Sequence, residues 1–350
     1  MIRLGLQLHG QRLGNIATYA QWAEDHGFSS VWVGEGRLSR DAIVPMTLAA
    51  ANTTRIAVGS AVIPFRTRNV ALIGVTFRTL NDLAPGRIRL GLGAWWEPLA
   101  SRTGLHTEKP VTAMREIVAV LKALFAGSAA TYTGQYVDVD SIKFDGEGDK
   151  EGVEYPIPIY IGAVRERMLQ LAGEIADGVV MDYQAPPAQN LEYVRQIEIG
   201  AQRAGRTLDM IDRPQLVLCC VDDADPLGAI DVCRAFVTQS IAQQPHIAEH
   251  CGLESDLVAA VRSEMTWPAT EAQVRHTMRL VPVSFVKSVS ACGTTSDALA
   301  KIEEYVATGC TEAVLTPCDD GDRTVAAIAR KSEIKPPSWV STSGTAPSRS

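Results

Sequence analysis

Between Val31 and Ala94 the chain carries three apolar runs: Ser30-Val-Trp-Val-Gly-Glu35, Ile56-Ala-Val-Gly-Ser-Ala-Val-Ile-Pro64 and Arg87-Ile-Arg-Leu-Gly-Leu-Gly-Ala94. Segments with helical spacing separate them. Apolar strands alternating with helices are what a parallel sheet buried on both faces requires. Each run stops at a small or functional residue, and the C-terminal ends of such strands are where an α/β barrel places its chemistry. The same rhythm continues along the chain and predicts eight strands, at 2–8, 31–33, 56–63, 88–92, 156–163, 177–181, 215–221 and 312–315. Helices are expected at 15–26, 41–51, 71–83, 110–125, 166–175, 191–203, 296–307 and 323–329. His26-Gly27 reads as a C-cap and Pro85-Gly86 as a turn feeding the next strand.

Two stretches break the alternation. Residues 130–144 read as a short hairpin, and 226–290 as a mainly helical segment. The right-handed crossover rule leaves a closed barrel or an open doubly wound sheet. No strand leads into a dinucleotide fingerprint: in Gly91-Leu-Gly93-Ala-Trp-Trp96 a bulky Trp occupies the third glycine position, where helix and strand must pack closely. No Walker sequence occurs. The expected fold is therefore an α/β protein, a (β/α)8 TIM barrel. It forms one domain over 1–335 with insertions near 130–155 and 240–290, and 336–350 form a disordered tail rich in Pro, Ser, Thr and Gly.

Composition narrows the partners. The 350 residues are 46% hydrophobic with a net charge of −7, which suits a soluble core-forming chain and argues against a nucleic-acid binder. The start runs directly into a strand without a signal-peptide pattern, and no apolar run is long enough to span a bilayer. Seven scattered cysteines include no Cys-x-x-Cys pair, which fits reduced thiols in a core and a cytoplasmic location. His246-Ile-Ala-Glu-His250 matches a His-x-x-Glu-His metal pattern, but it falls in the irregular insertion and lacks an evident third ligand. No metal is expected there.

Five stretches carry a resemblance: Phe28-Ser-Ser-Val-Trp-Val-Gly-Glu35, Arg55-Ile-Ala-Val-Gly-Ser-Ala-Val62, Leu80-Asn-Asp-Leu-Ala-Pro-Gly-Arg-Ile-Arg-Leu-Gly-Leu-Gly93, Pro158-Ile-Tyr-Ile-Gly-Ala163 and Leu171-Ala-Gly-Glu-Ile-Ala-Asp-Gly178. Together they resemble the bacterial luciferase-like superfamily, above all its reductases that use coenzyme F420, a deazaflavin, of the methylenetetrahydromethanopterin reductase kind. The resemblance implies hydride transfer between reduced coenzyme F420 and an unsaturated organic small molecule (C=C, C=N or C=O), in a homodimeric enzyme without membrane or nucleic-acid partners. An FMN-dependent monooxygenase of the same fold is the alternative. A zinc hydrolase using His246, Glu249 and His250 ranks below it, and non-catalytic ligand binding is a further alternative.

The resemblance also implies where the cofactor sits. A bulge after the third strand, with a non-prolyl cis bond at Ala61–Val62 within Gly59-Ser60-Ala61-Val62, would press on the back of the ring system. Relatives often carry Asp-His at the end of strand two; here stand Glu35 and Gly36, and Gly36 cannot move a proton. Glu35 is thus the carboxylate expected at the ring edge, and His9 is the substitute proton carrier. After strand four, Gly93, Ala94 and Trp95 are expected to shape the pocket with Trp96, since adjacent exposed tryptophans are unfavourable unless they cover a flat ligand. Glu97, the only carboxylate of that loop, could bind a substrate amine or act as acid. Gly162, Ala163, Val164 and Arg165 lead into a helix whose free N–H groups suit a phosphate, with Arg167 nearby. Arg66 and Arg68 are further candidates for a polyanionic tail.

Overall fold

The computed structural model describes residues 2–8, 13–97, 99–105, 108–146, 153–266, 268–319 and 321–331. Its core is a cylinder of parallel strands: β1 Leu4–Gln7, β2 Ser30–Val33, β3 Ala57–Ser60, β4 Ile88–Gly93, β5 Ile159–Gly162, β6 Gly178–Val180, β7 Pro214–Val221 and β8 Glu312–Pro317. Neighbours pair in sequence order from β1 to β6, and β8 lies between β7 and β1. Parallel bridges Gly178↔Asp212 and Met181↔Gln215 join β6 to β7 and close the ring. Closure removes free edges, so each strand is buried on both sides and can be apolar throughout.

Helices α1 Ile16–Asp25, α2 Ile43–Asn52, α3 Val70–Leu83, α4 Pro110–Phe125, α5 Glu166–Ile175 and α6 Pro187–Arg203 cover the outside after β1 to β6. Ile73, Phe77, Ile117 and Leu121 belong to the continuous core beneath them. After β7 the chain makes a helical excursion, beginning with α7 Pro226–Gln243 and α8 Pro245–His250. It packs a separate apolar cluster of Cys233, Val237, Ile241, Val258 and Val286. The barrel resumes through the short strand Ser290–Gly293 and the helix Thr295–Ala307. The hairpin Ala130–Thr133/Asp138–Ile142 lies outside the ring of strands and packs Ala130 and Val137 onto the core. Its tip is tied to α4 by Glu116, whose carboxylate accepts N–H bonds from Gln135, Tyr136 and Val137 at 2.9, 2.7 and 2.9 Å.

One strand departs from its predicted form. The run 56–63 reads as continuous, whereas β3 stops at Ser60, makes a cis peptide at Ala61–Val62 and restarts as Ile63–Pro64 beside β4. Glycine makes room for it: a Cβ on Gly91 would lie 1.9 Å from the Ser60 carbonyl oxygen, and one on Gly93 would lie 2.3 Å from a Val62 methyl. The Ser60 hydroxyl locks the crossing, donating to the Gly91 carbonyl and accepting from the Gly91 N–H at 2.9 and 2.8 Å.

Three substitutions test this framework. Gly91→Ala should lose about 3 kcal/mol of stability in urea unfolding, because the obstructing atom is backbone and cannot swing away. Gly36→Ala, with no atom near the new carbon, should stay within about 0.5 kcal/mol of the parent. Burial works to raise the Glu116 carboxyl, but the three N–H donors outweigh it and hold it below its ordinary value. Its contribution is therefore present above the ordinary carboxylate range and lost as pH falls below about 4. Glu116→Gln should cost about 1–3 kcal/mol at pH 7, with the gap from the parent narrowing in acid.

Candidate active site

A cavity of about 710 Å³ opens at the C-terminal end of the strands. Its lining is more apolar than polar, and its walls can be assigned strand by strand. From β1 comes Gln7, a buried amide whose Oε1 accepts from the Thr316 hydroxyl at 2.9 Å. After β2 come Gly34, Glu35, Gly36 and Arg37. The bulge after β3 supplies Ala61 and Val62, and the loop after β4 supplies Gly93, Ala94, Trp95, Trp96 and Glu97. Gly162 to Met168 follow β5, Val180 to Tyr183 end β6, and Gln243, Gln244 and His246 reach in from α7 and α8.

The bulge remains hydrogen-bonded to β2. The Ala61 N–H donates to the Val33 carbonyl at 2.8 Å, and the Val62 carbonyl accepts from the Glu35 N–H at 3.2 Å. An apolar surface is thus fixed at the mouth by backbone bonds to the neighbouring strand and its loop. Beneath it, Ala61 packs in one cluster with Trp32, Tyr160, Val180, Leu216 and Val314. Gly162 faces the same place, since a Cβ there would meet both Val62 methyls at 3.2 and 3.3 Å.

Two features here look outward to a ligand. Trp95 adopts φ +55°, a conformation uncommon for a bulky residue, and its buried indole N–H has no acceptor in the protein. Arg165 caps α5 without a side-chain bond to the first turn, so the helix presents its N-terminal N–H groups and dipole to the cavity.

Most of the residues expected from sequence come together on this wall, with different duties for some. Glu35 lines the cavity, but both its oxygens are bonded to Arg68 at 2.9 Å, and it also accepts from the Ala42 N–H at 3.3 Å. Arg68 further pairs with Asp41 at 2.8 Å. Glu35 is thus engaged in the loop leading to α2, and Arg68 is not available to a polyanion. Arg66 lies over the rings of Phe65 and Tyr136 and bonds the Glu108 carbonyl. Ser60, expected among the cofactor contacts, is instead fully buried beneath the bulge, because its hydroxyl is spent on Gly91. Glu97 is exposed and accepts from the Ser101 hydroxyl at 2.7 Å. His9 lies outside the described residues.

The His246–His250 pattern divides. His246 faces the cavity, and burial together with neighbouring Arg165 lowers its pKa. His250 stacks on Tyr193 at 6.2 Å and contacts the Gln189 amide at 3.3 Å. Among the described residues no group of three His, Cys, Asp or Glu side chains is arranged to hold a metal ion.

Sequence reading passed over Gln7, Arg37, Asp182 and Tyr183. Asp182 follows the β6 run Gly178-Val-Val-Met181, so the strand-end rule that drew attention to Glu35 would have found it one residue further on. Its Oδ1 accepts from the Gln184 N–H at 2.8 Å, and burial pushes the carboxyl up to about 6 against that bond. Burial raises the Tyr183 hydroxyl as well. The Arg37 guanidinium lies 5.2 Å from the centre of the Phe236 ring.

Comparison with known proteins agrees with this geometry. The chain is 32% identical over 303 residues to a 5,10-methylenetetrahydromethanopterin reductase of Methanolobus tindarius, covering 85% of this chain and 89% of that one. It is 27% identical to an F420-dependent glucose-6-phosphate dehydrogenase of Kineococcus radiotolerans, covering 72% and 78%. The solved coenzyme F420-dependent tetrahydromethanopterin reductase of Methanopyrus kandleri superposes with a TM-score of 0.75 at 24% identity, covering 95% and 98%. An FMN complex of the oxygenating constituent of 3,6-diketocamphane monooxygenase from Pseudomonas putida reaches 0.69 at 16%, covering 94% and 97%. The family model described as luciferase-like monooxygenase matches residues 2–312, and the chain belongs to that family.

Proposed function

We propose that this protein is an F420-dependent oxidoreductase that transfers hydride to or from an unsaturated small molecule bound in the strand-end cavity. The observation that carries the reading is one cavity bounded at once by the Ala61–Val62 bulge, the Trp95 loop and the uncapped start of α5. Relatives and solved structures named for coenzyme F420 support the deazaflavin over FMN.

The residues present fit such a group. Ala61 and Val62, the latter seated against Gly93 and Gly162 where no side chain obstructs it, give an apolar surface for a flat ring. The unpartnered Trp95 N–H offers a donor to a ring heteroatom. Gly162 to Arg165 and the α5 N-terminus suit a phosphate. When bound, the deazaflavin supplies or takes up the hydride; the protein's part is to orient the substrate, exclude water and manage the accompanying proton. Apolar side chains exposed on α2 and α3, Val44, Leu72 and Val75, support association of this family member as a homodimer, and the reading places it in the cytoplasm. Among the described residues no helix is long and apolar enough to cross a membrane.

Titration of the full-length protein with coenzyme F420 and separately with FMN, followed by cofactor fluorescence, tests the reading. Saturable binding of coenzyme F420 at least ten-fold tighter than FMN is expected. Binding of FMN alone, or of neither, would overturn it. Trp95→Ala should weaken F420 binding by about ten-fold, the loss of one ring contact and one donor.

A further inference from the structure

We infer that Asp182 is the group that gives the substrate its proton on reduction and takes it back on oxidation, a role that rests on the hydride-transfer reading above. Reduction of C=O, C=N or an activated C=C adds a hydride to one atom and leaves its partner needing a proton. A side chain on the cavity wall is placed to supply that proton to the reacting atoms, yet neither Gly36 nor Glu35 can do so. Gly36 has no side chain, and Glu35 has both oxygens on Arg68. Glu97 sits at the exposed rim, hydrogen-bonded to Ser101.

Asp182 has the geometry for the task. Val180 packs with Ala61 and Leu216 in the cluster beneath the bulge, and it registers opposite Gly162 of β5. Side chains alternate along a strand, so Asp182 repeats the inward direction of Val180 about 7 Å nearer the mouth. It lines the cavity and remains partly accessible through it. Its only side-chain hydrogen bond among the described residues is from Gln184 to Oδ1, so Oδ2 is left for a ligand. No described cation pairs with it.

The groups facing it from each packed element are themselves uncharged acids. They are Tyr183 on its own loop, Tyr193 of α6, Tyr305 of the helix Thr295–Ala307 and Cys251 after α8. Arg37 and His246 also line the cavity, and Arg37 bonds the Tyr183 hydroxyl, which it shares with Ser240. Burial without a countercharge brings the carboxyl to about 6, where it can both give and accept a proton near neutrality. In the reducing direction the substrate carbon gains a hydride, the adjoining O, N or C gains the Asp182 proton, and the two-electron-reduced cofactor is oxidised. The remaining carboxylate regains its proton from solvent. In reverse, the carboxylate accepts the proton as hydride leaves for the oxidised cofactor.

The test uses the full-length protein and its Asp182→Asn and Asp182→Glu variants. Carbon-13 NMR of Asp-labelled protein without cofactor should show one carboxyl signal titrating near pH 6 that vanishes in Asp182→Asn. F420 fluorescence titration should give both variants the parent's affinity within about three-fold. Acetone, 1-pyrroline and 2-cyclohexenone serve as C=O, C=N and C=C probes with reduced coenzyme F420. On a probe the parent reduces, kcat should fall as pH rises through about 6, because the protonated acid is the working form. Asp182→Asn should lose about 100-fold or more and the pH dependence, with partial recovery in Asp182→Glu. If the parent fails to bind coenzyme F420, the functional reading itself falls. If binding holds but the signal titrates near 4, or Asp182→Asn keeps the parent's rate and profile, only the role of Asp182 falls. A parent that binds the cofactor yet reduces none of the three probes overturns the substrate class on which that role stands.

Discussion

The close approach of the Ser60–Val62 backbone to β4 is the constraint on which the site depends. A wall that leans inward from a parallel barrel must displace something, and here the displaced atoms are the absent side chains of Gly91 and Gly93. The Ser60 hydroxyl fills the resulting contact with two hydrogen bonds to Gly91, while Ala61 and Val62 keep their ties to β2. The bulge is thus held from both neighbouring strands and does not need a ligand to define it. A preformed apolar surface of this kind lets a flat ring bind without an ordering cost in the protein. It also explains why the adjoining positions are so restricted in size: Val62 already occupies the space in front of Gly93 and Gly162.

The opposite end of the barrel has a different electrostatic plan. Glu312, fully buried at the start of β8, is met by the Ser29 and Ser30 hydroxyls and by Arg3 and Arg89 at 3.7 and 3.5 Å. Asp212 bonds Arg3 at 2.8 Å and the Tyr160 hydroxyl at 3.0 Å. Burial works against its ionised form, yet Arg3 and Arg89 hold the carboxyl below its ordinary value. Every charge in this floor is matched by several partners, as a buried charge requires. The floor belongs to stability, in keeping with the N-terminal face of such barrels.

The barrel was legible in the chain because strands buried on both sides must be apolar throughout, and helices between them must keep one apolar stripe. Helices 110–125 and 166–175 agree with the structure at both ends, since Pro110 and the amphipathic turn after Arg165 mark them locally. The break in β3 was legible only through resemblance, because the apolar run continues across it unchanged. Side-chain duties were harder still. Glu35 stands where a functional carboxylate belongs, but its partner Arg68 comes from the far side of β3, and no local pattern announces that pairing. Ser60 looks like a contact residue until Gly91, 31 positions away, claims its hydroxyl. Asp182 gives no composition signal; what distinguishes it is the burial conferred by α6, the excursion after β7 and the helix 295–307.

Two carboxylates at one mouth therefore receive opposite treatment. Glu35 is surrounded by donors, the Arg68 guanidinium and the Ala42 N–H, and both its oxygens are engaged by them. Asp182 is surrounded by phenols and a thiol, and among the described residues a single N–H, that of Gln184, reaches its carboxyl. A largely buried setting without a paired cation favours the neutral acid, and a neutral acid in an apolar cavity is a proton source rather than a structural pin. The floor shows that this chain can surround a buried carboxylate with partners, as it does for Glu312 and Asp212. That Asp182 lacks them is a property of its place on the cavity wall, where further partners would occupy the space a substrate needs. The barrel thus assigns its carboxylates by depth: matched at the floor, bonded to Arg68 at the β2 loop, and without a paired cation, among the described residues, at Asp182 on the cavity wall.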